Sequence, residues 1–224
     1  MRVFIVILLL SFIELNVLAQ KPFQGIIRYE MAISGTQAEH MKGMMGGGKH
    51  VWMYKGENTR QEQEMMGMKI TNITDSKNGL MYVLKNDAKV AYKMDRNKAK
   101  PKADEGKEPP VEKLDEVLEI QGYKCQKYKI IAQSSMGEQQ IYVWATKELK
   151  MPSTKDTSLP KDEGLHFKGI DGMPLKSVMD MMNGAIKITL TAVEVKVEKL
   201  DDELFKIPKD YKIEDFDPMK LMGK

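Results

Sequence analysis

Apolar and polar residues alternate along most of this chain, and a period of two is typical of β-strands. In residues 23–34, FQGIIRYEMAIS, the side chains of Ile27, Tyr29 and Ile33 fall on one face and Arg28 falls on the other. One apolar and one polar face predict a strand that is buried on one side and solvated on the other, as in antiparallel sheets.

Seven further segments repeat this alternation, with turn residues between them. The clearest turn is Asn78-Gly79, because Asn-Gly between apolar runs is a strong hairpin signal. Short turns between successive strands predict an antiparallel meander. The alternating segments are 49–63, 68–76, 79–85, 89–95, 117–134, 138–149 and 185–199.

The clearest helical pattern lies in residues 35–45, GTQAEHMKGMM. Thr36 and Glu39 form a capping-box pattern at its start, and the glycines Gly46–Gly48 would end it. We therefore expect a short helix between the first two strands, joined to the second strand by a glycine hinge.

Residues 174–184, PLKSVMDMMNG, fit two structures. Leu175, Val178 and Met182 follow helical spacing, but alternate residues of the same run also fit a strand. Asn183-Gly184 would then turn the chain into the next alternating segment, and this hairpin is the preferred interpretation.

Two stretches depart from the alternation. Residues 1–19 join Arg2 to a short apolar run and end in small residues, which predicts a cleaved signal peptide and an exported, soluble protein in the periplasm or outside the cell. Residues 96–113 are rich in lysine, acids and proline, so we expect a mobile charged loop there. The length of residues 20–224 suits a single domain.

Charge and motif content exclude several functional classes. The net charge is +3 with 30% charged residues, and no basic stripe with interleaved aromatics appears, so nucleic-acid binding is not expected. No nucleophile elbow, phosphate loop or dinucleotide motif is present. We therefore expect a non-enzymatic protein with no cofactor and no transmembrane segment. The single cysteine, Cys125, is interpreted as a buried strand residue.

Methionine is the unusual component, with 19 residues in 224. Many are expected to fill the core, but those in glycine-rich, turn-like sequence would suit an adaptable apolar surface. These are Met41, Met44, Met45, Met65, Met66 and Met68. Thioether and imidazole groups also suit Cu(I), and the alternative metal ligands are His40, Met41, Met44, Met45 and His50.

The order of these segments resembles a secreted domain-of-unknown-function family of Gram-negative bacteria, whose members are similar to the periplasmic lipoprotein carrier LolA. The resemblance covers most of residues 22–215. Its motifs are G-Y-K-C-x-K-Y from Gly122, G-x-P-L-K from Gly172 and D-x-L-F-x-I-P-x-D-Y-K from Asp202. It implies a mainly β fold: a curved antiparallel sheet, an open half-barrel, with one or two short helical lid segments.

Together these features predict a monomer that binds a lipid-like or other hydrophobic ligand in the cell envelope. The sheet would supply rigid apolar residues, and the methionine-rich segment would act as a lid. An alternative is an envelope module that docks a protein partner through a sheet edge or the methionine patch. The predicted ligand-binding residues are Ile27, Tyr29, Met41, Met44, Met45, Trp52, Met66, Met68, Tyr82 and Trp144.

Overall fold

A computed structural model of the chain contains twelve strands, one short helix and a 3₁₀ turn at Asp202–Phe205 in its described part. It describes residues 21–45, 48–65, 68–96, 98, 109–134, 137–152, 169–182, 184–217 and 220. The elements are β1 Gly25–Ser34, α1 Ala38–Met45, β2 Gly48–Lys55, β3 Asn58–Met65, β4 Met68–Asp75, β5 Leu80–Lys85, β6 Val90–Asp95, β7 Val111–Ile120, β8 Tyr123–Ser134, β9 Gly137–Thr146, β10 Met173–Met181, β11 Ile186–Val197 and β12 Lys212–Asp215.

The strands form one open sheet with β1 near its middle. Their order is β12-β6-β5-β4-β3-β2-β1-β11-β10-β9-β8-β7. The strands from β2 to β6 extend outward from one side of β1, and those from β11 back to β7 extend from the other. All neighbouring pairs are antiparallel except β12 with β6. The predicted mainly β, open antiparallel sheet is therefore confirmed.

The ambiguous segment after Gly172 forms a strand and not a helix. Met181 of β10 pairs with Ile186 of β11, so the hairpin interpretation holds. Gly184 has a φ of +87° in the turn, a backbone conformation that glycine adopts at little cost. Asn183 lies outside the described residues.

The range 96–113, expected to be a charged loop, is only partly described. Its last three residues belong to β7, because Val111 pairs with Ile130 of β8. The side chain of Arg96 at its start is buried. The sequence pattern hid β7 because VEKLDEVLEI buries only Ile120 and carries charge on both faces.

The two faces of the sheet have different coverings. We call the side that carries Ile27 and Tyr29 the front face, and the opposite side the back face. On the back face, the chain after the 3₁₀ turn covers a cluster around Ile73, through Ile207 and Tyr211.

Within the described ranges, no helix has the length and apolarity to cross a bilayer.

The segment that precedes β1 contacts the segment that follows β9. The backbone NH of Phe23, just before β1, donates to the carbonyl of Lys150, just after β9, at 2.7 Å. The β1–β11 register shifts at Arg28/Tyr29 and the β9–β10 register shifts between Pro174 and Lys176. Such bulges bend strands and increase their local twist.

Gly172 allows β10 to start close against β9, and replacing it should destabilise the fold. A Cβ at this position would lie 2.0 Å from the carbonyl oxygen of Thr146, and φ is +99°. We expect Gly172→Ala to lower the free energy of unfolding by about 3 kcal/mol or more, measured by urea unfolding. The matched control is Gly122→Ala, at φ +80° with nothing within 4 Å, which should cost only about 1–2 kcal/mol. Equal losses would contradict the steric argument.

Candidate functional site

Three predicted ligand-binding residues meet on the front face. Ile27 pairs with Trp52 across β1 and β2, and the rings of Tyr29 and Trp52 lie 5.3 Å apart. The hydroxyl of Tyr29 donates to the carbonyl of Pro174 at 2.8 Å. Ile27 and Tyr29 are 0% exposed and Trp52 is 7% exposed. These side chains therefore form packed core and not an open binding surface.

Cys125 lies near this aromatic group. Burial, with a smaller contribution from Cys125, raises the pKa of Tyr29 far above its usual value. Burial also raises the pKa of the Cys125 thiol to about 11, with the carboxylate of Glu148 adding to the effect and a backbone hydrogen bond at Ile120 opposing it. The thiol is buried, which confirms the interpretation of Cys125 as a core residue.

Trp144 belongs to the same buried cluster, but charged groups surround its indole. The ammonium groups of Lys127 and Lys176 lie over the ring, 4.9 and 4.8 Å from its centroid. Its NH donates to the carboxylate of Glu116 at 3.1 Å, and Glu116 pairs with Lys127 at 2.6 Å. The hydrogen bond from Lys127 is the main cause that lowers the pKa of Glu116. These contacts indicate a structural role for Trp144.

Helix α1 packs on the front face through Ala38 and Met41. The backbone NH of Gln37 donates to the carbonyl of Ala185 at 3.0 Å, just before the helix. We call the residues around this contact the methionine cluster, because four of its eight members are methionines. They are Met31, Ile33, Ala38, Met41, Met179, Met181, Ile186 and Ile188. The members that belong to β1, β10 and β11 form the apolar surface beneath α1.

Other predicted residues are only partly described. Residues His40, Met44 and Met45 lie in α1 and Met68 lies in β4, but their side chains are outside the described part, as is Met66. His50 pairs with Tyr29 across β2 and β1. Burial lowers the pKa of His50, and a hydrogen bond with Gln63 opposes this shift. Among the described residues, no group of three or more His, Cys, Asp or Glu could hold a metal ion.

Tyr82 lies on the back face, away from the other predicted residues. Cross-strand pairs connect it to β2: Tyr82 pairs with Ile73, Ile73 pairs with Arg60, and Arg60 pairs with Met53. Paired residues lie on the same face of a sheet. Because Met53 adjoins Trp52 in the same strand, its side chain and that of Tyr82 point away from the front face. The LMYVLK run is apolar on both faces, so its alternation could not show which side Tyr82 takes.

Two clefts flank the segment 201–209 on the back face. The first has a volume of about 490 Å³ and lies over Tyr82, where Ile73, Phe205 and Ile207 also line it. The second, of about 330 Å³, lies over Arg60. Sequence reasoning missed the first cleft. The signal that could have indicated it is the closing D-x-L-F-x-I-P motif, which supplies Asp202, Phe205 and Ile207.

Comparison with known proteins identifies the family. Residues 23–211 match a family described as a domain of unknown function, DUF4412, so the chain belongs to it. The predicted resemblance to a family of this kind is confirmed. No curated protein sequence is significantly similar to this chain.

Several solved structures are similar in fold. A structure of PNGF-II matches with a TM-score of 0.49 and 20% identity, over 90% of this chain and 32% of that one. This chain therefore spans about a third of that protein's length. A LolA superfamily protein from Nitrosomonas europaea matches with a TM-score of 0.36 and 8% identity, over 84% and 92% of the two chains. A domain from Vibrio parahaemolyticus, described provisionally as an outer membrane lipoprotein-sorting protein, matches with a TM-score of 0.34 and 12% identity, over 82% of this chain and 89% of that one.

The raised pKa of Cys125 predicts an unreactive thiol in the folded protein. A shift from 9.0 to about 11 reduces the thiolate fraction at pH 8 by about 100-fold, and burial slows reaction further. We expect Ellman's reagent to label Cys125 only on unfolding. Because the unfolded thiol ionises first, this group should also lower stability as the pH rises from about 9 to about 11.

A cysteine on the surface of the same strand provides the control. Ile131 is 37% exposed in β8, so Ile131→Cys in a Cys125→Ala background should react at the rate of a free thiol. Rapid labelling of Cys125 in the folded protein would contradict its assignment to the core.

Proposed function

We propose that this protein binds a lipid-like or other hydrophobic ligand on the front face of the sheet, beneath α1, without catalysing a reaction. The observation that carries the proposal is the methionine cluster, whose surface joins β1, β10 and β11 under a helix. Thioether side chains are unbranched and polarisable, so they can repack around acyl chains of different shape. A packed front-face core beside the cluster supplies the rigid support.

The proposal includes a curved sheet with the front face inside an open half-barrel. In a flat sheet, β9 would lie about 14 Å from β1, because neighbouring strands are about 4.8 Å apart. The hydrogen bond from Phe23 to Lys150 nevertheless joins the segment just before β1 to the segment that follows β9. Likewise, Cys125 of β8 influences the pKa of Tyr29 of β1, although three strands lie between them. Both contacts support curvature.

In this proposal α1 is the lid. Its start is held close to the β10–β11 turn, because a Cβ on Gly35 would lie 2.4 Å from the carbonyl oxygen of Ala185. Its other end leads to Gly48, which has a φ of +132° and open space around it. Among the described side chains of α1, Ala38 and Met41 make the contacts that would break when the lid opens, and the sheet residues of the methionine cluster would then become accessible.

The proposed setting is the cell envelope. Removal of the predicted signal peptide, residues 1–19, would leave a soluble monomer in the periplasm or outside the cell. A second envelope protein that delivers or receives the ligand is consistent with a carrier role.

Binding of an apolar probe tests the proposal. We expect the fluorescence of 1-N-phenylnaphthylamine to rise saturably with residues 20–224 and to fall when a long-chain fatty acid competes. Met41→Asp places a charge in the methionine cluster and should weaken probe binding by about tenfold or more. Met41→Leu keeps the volume and apolarity and should bind as the unmodified protein does.

Ile213→Asp serves as the matched control, because Ile213 is an exposed apolar residue of the edge strand β12. It should leave probe binding unchanged. The proposal fails if the folded protein shows no saturable binding, or if Met41→Asp and Ile213→Asp behave alike while both stay folded by circular dichroism.

Binding of Cu(I) is the alternative function. It is favoured by the observation that α1 holds four of the five alternative ligands within one eight-residue helix and that β2 follows with His50. If copper binds here, replacing Met41, Met44 and Met45 together with leucine should abolish Cu(I) binding, measured by competition with bicinchoninate under reducing conditions. Probe binding should survive the same replacement. Unchanged copper affinity in the triple variant would exclude this site.

A further inference from the structure

An ion pair and two hydrogen bonds connect the walls of the cleft over Tyr82. One wall is the back face of β4 and β5, and the other is the 3₁₀ turn Asp202–Phe205 with the residues that follow it. The ammonium group of Lys55 binds the carboxylate of Asp202 at 2.5 Å and the carbonyl of Leu200 at 2.7 Å. The guanidinium group of Arg60 donates to the carbonyl of Leu204 at 3.0 Å. These bonds connect the turn to β2 and β3.

The floor of the cleft is apolar and partly aromatic. Ile73 is almost fully buried at its base, and the half-buried rings of Tyr82 and Phe205 line it together with Ile207. A volume of about 490 Å³ falls within the range of about 300–1,000 Å³ that small-molecule sites occupy. An aromatic floor of this size suits a compact ring that presents C–H groups to it.

The rim of the cleft is polar but electrically balanced. Two carboxylates, Asp75 and Asp202, and two ammonium groups, Lys77 and Lys206, line it. The opposite charges cancel, so a ligand with a net charge gains little over a neutral one.

Hydrogen-bonding groups on the rim can both donate and accept. Asn78 donates to Asp75 through its backbone NH at 3.2 Å and its side-chain amide at 2.6 Å. These two bonds orient the Asp75 carboxylate, and each carboxylate oxygen keeps a further lone pair that can accept a hydrogen bond from a ligand. The amide of Asn58 adds a donor and an acceptor beside it. Such groups match hydroxyls, which also donate and accept.

We propose that this cleft is a second binding site, separate from the apolar site beneath α1, and that it takes a neutral polyhydroxylated ring such as a hexose unit of a glycan. The C–H face of the sugar stacks on Tyr82 and Phe205. Its hydroxyls bond to Asp75 and the two rim amides.

Nuclear magnetic resonance titration of residues 20–224 with methyl hexosides tests the proposal. The probes are the methyl α-pyranosides of glucose, galactose and mannose. We expect at least one to shift the amide signals of Tyr82, Phe205 and Asn58 saturably at millimolar concentrations. Tyr82→Leu and Asp75→Asn should each weaken this binding by about tenfold or more. Asp75→Asn is nearly isosteric and keeps the result interpretable if Tyr82→Leu does not fold.

The matched control is Tyr142→Leu, because Tyr142 is a half-buried tyrosine of β9 outside the cleft. It should leave the shifts unchanged. The proposal is overturned if none of the three hexosides binds saturably, if the cleft variants bind as the control does, or if glucuronate or glucosamine binds more tightly than the neutral sugars. The apolar probe reports on the front face in the same samples, so the two sites can fail independently.

Discussion

The buried side chain of Tyr29 is the constraint on which the arrangement of the central strands depends. Its ring packs on Trp52 of β2, and its hydroxyl reaches past β11 to the carbonyl of Pro174 in β10. One side chain therefore relates four neighbouring strands. The register shifts at Arg28/Tyr29 and between Pro174 and Lys176 lie at its two ends. Because an unpaired buried hydroxyl costs about 1–3 kcal/mol, β10 is held at the position that accepts this hydrogen bond.

The two faces of the sheet offer different chemistry because they are covered differently. On the front face, apolar side chains run from the aromatic core to the methionine cluster, to which Ala38 and Met41 of the helix belong. On the back face, the chain after β11 is held down by Lys55 and Arg60 through charged and polar bonds. The proposed front-face site relies on adaptable methionine side chains, whereas the proposed back-face site relies on a turn that is bonded to the sheet.

Alternation in the sequence predicted most of the strands, the Asn183-Gly184 turn signal favoured the hairpin at β10–β11, and the capping-box pattern predicted the helix after β1. Alternation failed where both faces of a strand have the same character. The β7 sequence is charged on both faces, so it was assigned partly to a loop. The β5 sequence is apolar on both faces, so alternation gave no sign that Tyr82 lies on the back face, and Tyr82 was predicted together with the front-face residues. The closing motif supplies one wall of the cleft over Tyr82, but local pattern does not show what that wall faces, since Asp75 and Phe205 are brought together only by the folded chain.

The central position of β1 also determines the order in which the chain can fold. Gly25 pairs with Val197, so all the residues between them must be present before the two halves of the sheet can join. The strands from β2 to β6 are linked by short turns and can pair as they emerge. Pairing β1 with β11 closes a much longer loop, which costs more conformational entropy and is slower. A chain that stops before β11 keeps separate meanders, with neither a surface beneath α1 nor a wall for the back cleft. Both faces therefore depend on β11 and the residues that follow it, which are made long after β1.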